Sequence, residues 1–223
     1  GPAAQTPAGL AAIARLYDSF LHVVASEASG IDSIAAMKGK RVSVGSAGSS
    51  TESIADRMLA AAGLNPMSDV TRDNLGVSES AGALADGKID AFFWIGGLPT
   101  AAVKDLASAG QTKLRFIGTA TEMSVLKTRY PNLYQDSAMP AGTYAGQDAD
   151  VPGLGVANVL LVPGEADDAL VTDILSCIFG NLDAIHAVHP EAETLSLAGA
   201  YVETSVPWHP AAIAFYAGRT PAP

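Results

Sequence analysis

The residues best suited to hold a small anion lie in one run, Val42-Ser43-Val44-Gly45-Ser46-Ala47-Gly48-Ser49-Ser50-Thr51-Glu52. It begins in a β-rich stretch and ends at a helix start. Ser49-x-x-Glu52 is a capping box, and Ile54, Met58, Leu59 and Ala62 form an apolar stripe closed by Gly63, so a helix is expected over Ser50–Ala62. The first turn of such a helix has unpaired N–H groups and the positive end of the dipole. The small turn around Ser46 and Gly48 and the hydroxyls of Ser49, Ser50 and Thr51 add further donors, and together these suit a carboxylate. The same spacing excludes other chemistry. No phosphate loop of the form Gly-x-x-x-x-Gly-Lys-[Ser/Thr] is present, and no Gly-x-Gly-x-x-Gly follows a strand. Gly45 and Gly48 flank Ser46-Ala47 with the wrong interval for a nucleophile elbow.

Trp94 closes the apolar stretch Ile89–Ile95 and is followed by Gly96-Gly97-Leu98-Pro99, a place where open α/β sheets deliver residues to ligands. Core packing is the alternative role for this indole. The stretch Tyr130–Pro152 is rich in proline and glycine and carries Thr143, Tyr144, Gln147, Asp148 and Asp150, so it reads as an ordered functional loop, with a plain surface loop as the alternative. His186 and His189 are three apart with Glu191 beyond, which is not the four-residue spacing of a helical metal pair. They read as residues favoured by a helix C-terminus; His22 and His209 likewise read as structural. Cys177, the single cysteine, reads as a small buried hydrophobe. No metal or cofactor is expected, and no nucleophile and base are spaced for catalysis.

The elements that position these residues alternate. Candidate strands are Leu21–Ala25, Arg41–Val44, Val70–Leu75, Ile89–Ile95, Leu114–Ile117 and Leu154–Val162, several of them near-continuous apolar runs that suit a sheet covered on both faces. Between them fall helices over Ser50–Ala62, Glu79–Asp86 and Thr100–Ala109, each closed by a glycine. A long helix is expected over Asp167–Val188 from the spacing of Leu170, Ile174, Ile178, Leu182 and Ile185, and a short one after His209-Pro210. The pattern is that of an α/β protein with a parallel or mixed sheet. The 223 residues, 48% hydrophobic and 16% charged, suffice for one large core or two small ones. A formal charge of -10 argues against nucleic acid or an anionic membrane as partner. The longest apolar runs, such as Val156–Val162, fall far short of the ~18 residues that span a bilayer. Gly1-Pro2-Ala3 lacks the basic and apolar regions of a signal peptide and reads as the start of a trimmed chain.

Several segments in order resemble the TAXI branch of the solute-binding proteins that serve TRAP transporters. They are Leu21-His22-Val23-Val24 before Ser29-Gly30-Ile31, then Met37-Lys38-Gly39-Lys40-Arg41-Val42-Ser43-Val44-Gly45, and Ala83-Leu84-Ala85-Asp86-Gly87-Lys88-Ile89-Asp90-Ala91-Phe92-Phe93. Gly97-Leu98-Pro99-Thr100, Pro140-Ala141-Gly142-Thr143-Tyr144-Ala145-Gly146-Gln147 and Val206-Pro207-Trp208-His209-Pro210 complete the set. The Gly-Thr-Tyr-x-Gly-Gln loop is the most particular of these; the Lys-Gly-Lys-Arg-Val and Gly-Lys-Ile-Asp-Ala pieces occur in many periplasmic-binding-protein-like folds. Gly48-Ser49-Ser50-Thr51 stands where the family has Gly-Ser-Gly-Thr.

The resemblance implies a periplasmic-binding-protein-like α/β fold of two lobes with mixed sheets closing on a small acid. The first lobe is expected to be incomplete, its opening strand and glycine-rich ligand loop not being found. Residues 1–25 would be a remnant of the first lobe with the first crossing strand, 26–158 the second lobe, and 159–223 the second crossing strand with the C-terminal part of the first lobe. The implied function is a periplasmic, non-enzymatic subunit that captures a small carboxylate such as glutamate for the membrane components of a TRAP transporter. Ser46, Gly48, Ser49, Ser50, Thr51, Trp94, Gly97, Thr143 and Tyr144 would line its ligand site. Self-association, or pairing with the absent N-terminal segment, would cover an apolar patch left by an incomplete lobe. A ligand-sensing domain of a regulator and an enzyme of binding-protein ancestry are the competing classes.

Overall fold

The computed structural model describes residues 9–131, 133–188 and 190–219. The chain forms two compact units, one of Ser19–Arg129 and Tyr134–Gly155, the other of Gly1–Asp18, Tyr130–Leu133 and Val156–Pro223. Strands β1 (Leu10–Ser26) and β7 (Val151–Pro163) each contribute residues to both. The strand order is β3 (Thr71–Asp73), β2 (Arg41–Ser43), β4 (Ala91–Gly96), β1, β7 and β6 (Gln135–Met139), with β5 (Leu114–Phe116) paired to β1. This is a mixed sheet in an α/β protein.

In the larger unit, β2 (Arg41–Ser43) lies parallel to β3 (Thr71–Asp73) and to β4 (Ala91–Gly96). The second half of β1 runs antiparallel to β4, from Phe20 opposite Gly96 to Ala25 opposite Ala91. Its last residues pair antiparallel with β5 (Leu114–Phe116). Strands β2, β3, β4 and β5 therefore point the same way, and each leads into a helix: α1 (Ser50–Ala61), α2 (Val77–Ala85), α3 (Ala101–Ala109) and α4 (Ala120–Arg129). Four helix N-termini thus gather at the carboxyl edge of one sheet, the edge at which open α/β sheets bind ligands. Side chains alternate across β1 and β4. Phe20, Val24 and Phe92 join Ala81, Leu84, Val103, Leu106, Met139 and Tyr144 in one apolar cluster. Ile54, Met58 and Leu59 of α1 and Met123 and Leu126 of α4 are also buried.

The smaller unit packs Ala11, Ile13 and Ala14 of β1 and Val162 of β7 with α5 (Asp168–Gly180), Ala200 of the short α7 (Leu197–Ala200) and α8 (Pro210–Tyr216). Tyr216 donates its hydroxyl to the Ile13 carbonyl at 3.0 Å and stacks on Tyr201 at 5.0 Å. His209 caps α8: its Nδ1 accepts from the Ala211 amide at 3.2 Å, which leaves Nε2 to donate to the Ala166 carbonyl at 3.1 Å. Pro210 fills the first helical position, as its fixed φ favours.

Several expectations are corrected. The first strand begins at Leu10, not Leu21: an alanine-rich run with Arg15 and Asp18 favours helix locally, but Ala11–Ala14 are buried in extended form. The stretch Tyr130–Pro152 is not one loop. It contains β6 (Gln135–Met139), antiparallel to the start of β7, with a short irregular approach before β6 and an irregular connection between the two strands. Helix α4 precedes it and was not expected. The long helix over Asp167–Val188 is two, α5 and α6 (Leu182–His186), because Asn181 leaves helical geometry and turns its side-chain amide onto the Cys177 carbonyl at 2.7 Å. Its buried positions are Val171 and Leu175, whereas Leu170 is 53% exposed. Cys177 is exposed rather than buried, lying on that outward side.

Candidate functional site

The turn between β2 and α1 is built by local rules. Gly45 adopts φ +95°, and a Cβ there would lie 2.6 Å from the Thr51 side chain, so only glycine permits this close approach. Ser49 caps α1, its Oγ accepting from the Glu52 amide at 3.2 Å. The Glu52 carboxylate reaches back one residue further than a standard box, to the Gly48 amide at 2.6 Å. Its other oxygen accepts from the Arg72 guanidinium at 2.5 Å and the Asn74 amide at 2.8 Å. The hydrogen bond from Arg72, then those from Gly48 and Asn74, hold the Glu52 carboxyl below the usual carboxylate range. Thr51 is buried, and its Oγ1 accepts from the Ile95 amide at 3.4 Å, fastening α1 to β4.

These partners divide the sequence-predicted donors. The Gly48 amide and the Ser49 hydroxyl are engaged within the turn, and the Thr51 hydroxyl is engaged by the Ile95 amide of β4. Ser46 and Ser50 are exposed, and the amides of Ser50 and Thr51, at the first two positions of α1, have no acceptor inside the helix. A Cβ on Gly76 would come 3.6 Å from the Ser46 Oγ, which sets this hydroxyl beside the start of α2 as well. The open group is therefore Ser46, Ser50 and two amides.

The β4–α3 turn is organised differently. Trp94 is half-buried with its indole N–H donating to Thr100 Oγ1 at 3.0 Å, and Thr100 Oγ1 donates in turn to the Gly97 carbonyl at 2.8 Å. The ring folds so closely over Gly96 that a Cβ there would meet the indole nitrogen at 2.5 Å. Tyr144 is 2% exposed and stacks on Phe116 at 5.2 Å. Its hydroxyl oxygen accepts from the Thr100 amide at 2.7 Å and lies 2.7 Å from His22 Nε2. His22 is fully buried, with Nδ1 3.1 Å from the Phe20 carbonyl. A carbonyl only accepts, so Nδ1 carries the proton and Nε2 accepts from Tyr144. Burial pushes the His22 pKa down to about 4 against the opposing carbonyls of Phe20 and Trp94, so the ring is neutral at pH 7.

Thr143 donates to the Pro140 carbonyl at 2.6 Å. Gln147 braces the same connection: its carbonyl oxygen accepts from the Tyr144 amide at 3.4 Å, and its amide donates to the carbonyls of Met139 and Ala149 at 3.3 and 2.7 Å. The Gly-Thr-Tyr-x-Gly-Gln motif thus encodes a self-bonded turn whose tyrosine points into the core, not an open wall. Sequence reasoning missed His22 and Thr100 as members of this arrangement. Their signal is the register of β1 on β4, His22 opposite Trp94, which no local pattern carries. At the start of α4, Thr119 donates its amide to the Pro152 carbonyl at 3.0 Å, yet its buried hydroxyl has no partner. His186 Nε2 lies 2.9 Å from the Leu195 carbonyl; His189 falls outside the described residues. Among the described residues no cluster of His, Cys, Asp and Glu is placed to hold a metal, and no helix is long and apolar enough to cross a membrane.

The fold and this edge define an α/β protein whose helix starts converge on one side of a mixed sheet. The chain belongs to the NMT1-like family, whose model matches residues 1–218. Among solved structures it is similar to the periplasmic aliphatic sulphonate binding protein SsuA from Escherichia coli. The identity there is 18% over 97% of this chain and 54% of that one, with a TM-score of 0.48. It is also similar to the arginine-, lysine-, histidine-binding protein ArtJ from Geobacillus stearothermophilus, at 10% identity over 84% of this chain and 64% of that one, TM-score 0.48. A third is the putative periplasmic sulfonate-binding protein SsuA from Methylobacillus flagellatus KT, at 18% identity over 85% and 47%, TM-score 0.44. The chain spans about half the length of the first of these.

Proposed function

We propose that this protein is the extracytoplasmic solute-binding subunit of a TRAP secondary transporter of the TAXI type, binding the carboxylate of a small organic acid such as glutamate. It performs no catalysis; it delivers the acid to the transporter's membrane components. The observation that carries the reading is the open donor group at the start of α1, at the carboxyl edge of the sheet, where Ser46 and Ser50 are exposed and the first two amides of the helix have no acceptor within it. Gly48, Ser49 and Thr51 hold its shape. Trp94 and Gly97 form the neighbouring turn, with Thr143 and Tyr144 supporting that turn from within the unit. The net charge of -10 does not oppose an anionic ligand at this place. A few fixed donors at short range outweigh a diffuse field that salt screens within about 10 Å. The resident Glu52 carboxylate is itself offset by Arg72.

A thermal-shift panel tests the reading, with L-glutamate, glutarate, succinate and pyruvate against methylammonium as a cationic control. Ligand binding to the native state raises the midpoint. A rise with at least one of the acids and none with the cation is expected; a panel in which no carboxylate raises the midpoint contradicts the proposal.

A further inference from the structure

Two turns meet the same sheet edge, and the second is held from behind by a chain of hydrogen bonds that runs through the core. We propose that His22, Tyr144 and Thr100 act as positioning residues that set the orientation of Trp94 and of the Gly97 turn. This rests on the reading of that edge as the ligand site. The links are short and continuous. His22 Nε2 accepts from the Tyr144 hydroxyl across 2.7 Å, the Tyr144 oxygen accepts from the Thr100 amide across 2.7 Å, and Thr100 Oγ1 joins the Trp94 indole to the Gly97 carbonyl. Thr100 precedes α3 at the capping position, yet its side chain makes no bond to that helix. A threonine at such a position ordinarily caps the helix through its hydroxyl. Here the hydroxyl is committed to the turn.

The direction of each bond matters. Tyr144 gives its single proton to His22, so its oxygen is left to receive the Thr100 amide. If His22 gains a proton, Nε2 becomes a donor, and the tyrosine proton loses its acceptor and must turn away. The oxygen then receives a charged donor beside the Thr100 amide, which alters the Thr100 bond and with it the turn that holds the Trp94 indole. His22 is faced by the Tyr144 hydroxyl, the carbonyls of Phe20 and Trp94 and the rings of Phe20 and Tyr144. The chain is thus a switchable strut behind the turn.

The test uses the two tryptophans of the sequence, Trp94 in the larger unit and Trp208 in the smaller, whose indole donates to the Val202 carbonyl. In ligand-free, 15N-labelled protein the Trp94 indole N–H should shift on acidification with a midpoint of about 4, while Trp208 keeps its position. His22→Gln, which retains an acceptor near Nε2 but cannot titrate, should abolish that shift. Tyr144→Phe should speed exchange of the Trp94 indole proton about tenfold and leave Trp208 unchanged. A Trp94 signal indifferent to Tyr144→Phe, or one that shifts on acidification equally in His22→Gln, overturns the inference. Titration with L-glutamate at each pH, taken as the ratio of wild type to His22→Gln so that the ligand's own titration cancels, supplies the functional arm. Wild-type affinity should fall more steeply below pH 5 than that of His22→Gln. Equal falls would remove the strut from ligand binding. Absence of L-glutamate binding by every form, with the indole responses intact, would count against the carboxylate reading while leaving the strut in place.

Discussion

The turn before α1 and the turn after β6 are both built on glycine, alanine and a small hydroxyl residue, and they end in opposite places. At the first, glycine at φ +95° and the Ser49 cap tighten the backbone so that Ser46 and Ser50 face outward. At the second, Thr143 and Gln147 bond to their own connection and drive Tyr144 to 2% exposure, where its hydroxyl joins His22 to Thr100. Small polar residues with glycine mark a constrained turn; they do not say which of its groups are left over. That depends on partners distant in sequence, such as Ile95 for Thr51 and His22 for Tyr144.

The contrast can be broken at four places. The largest effect is expected for Gly45→Ala, which meets both a positive φ and the Thr51 side chain at 2.6 Å. About 3–4 kcal/mol of unfolding free energy should be lost in a urea titration, and a change below about 1 kcal/mol would mean that the turn relaxes freely. Next comes pH. His22 has its pKa lowered from 6.5 to about 4, so between those values the unfolded chain binds more protons than the folded one. The stabilisation is complete above pH 6.5 and is lost as the pH falls toward 4, amounting to about 3 kcal/mol. His22→Gln should show a correspondingly shallower decline over this window, and parallel curves for the two proteins would remove His22 from the account. Ser49→Ala should cost about 1 kcal/mol through the lost cap, visible as an earlier urea midpoint. Thr119→Val should do the opposite. It keeps the shape and removes a buried hydroxyl without a partner, so the midpoint should rise by the equivalent of about 1 kcal/mol; a fall would reveal a bond to Thr119 that forms in solution.

Much of the larger unit is legible in the chain because local signals and tertiary structure agree there. The cap at Ser49, the stripe Ile54, Met58, Leu59 and the stop at Gly63 place α1 to within one residue of its observed end at Ala61. Glycines 87 and 110 likewise close α2 and α3. Disagreement between levels hides the rest. Leu10–Phe20 has the alanine content of a helix and is a strand because burial and strand pairing override propensity. Helix α4 combines an exposed Val125 with a polar outer face, which leaves little apolar periodicity to read. The break at Asn181 depends on one side-chain amide competing with the helix ladder. At the candidate site, the run Gly45–Glu52 announces a capped turn. The division of its donors into engaged and open ones requires Glu52, Arg72, Asn74 and Ile95 to be placed around it, and three of those four lie outside the motif.

Calorimetric titration of L-glutamate into wild type and into the Ser46→Ala, Ser50→Ala double variant asks whether the open donors of the α1 turn receive a carboxylate. Both serines are exposed, so the variant should keep the wild-type melting midpoint. Wild type should bind, and the double variant should bind with an affinity about 10- to 100-fold lower, corresponding to about 1–3 kcal/mol. Equal affinities in two equally stable proteins would contradict that role for the turn.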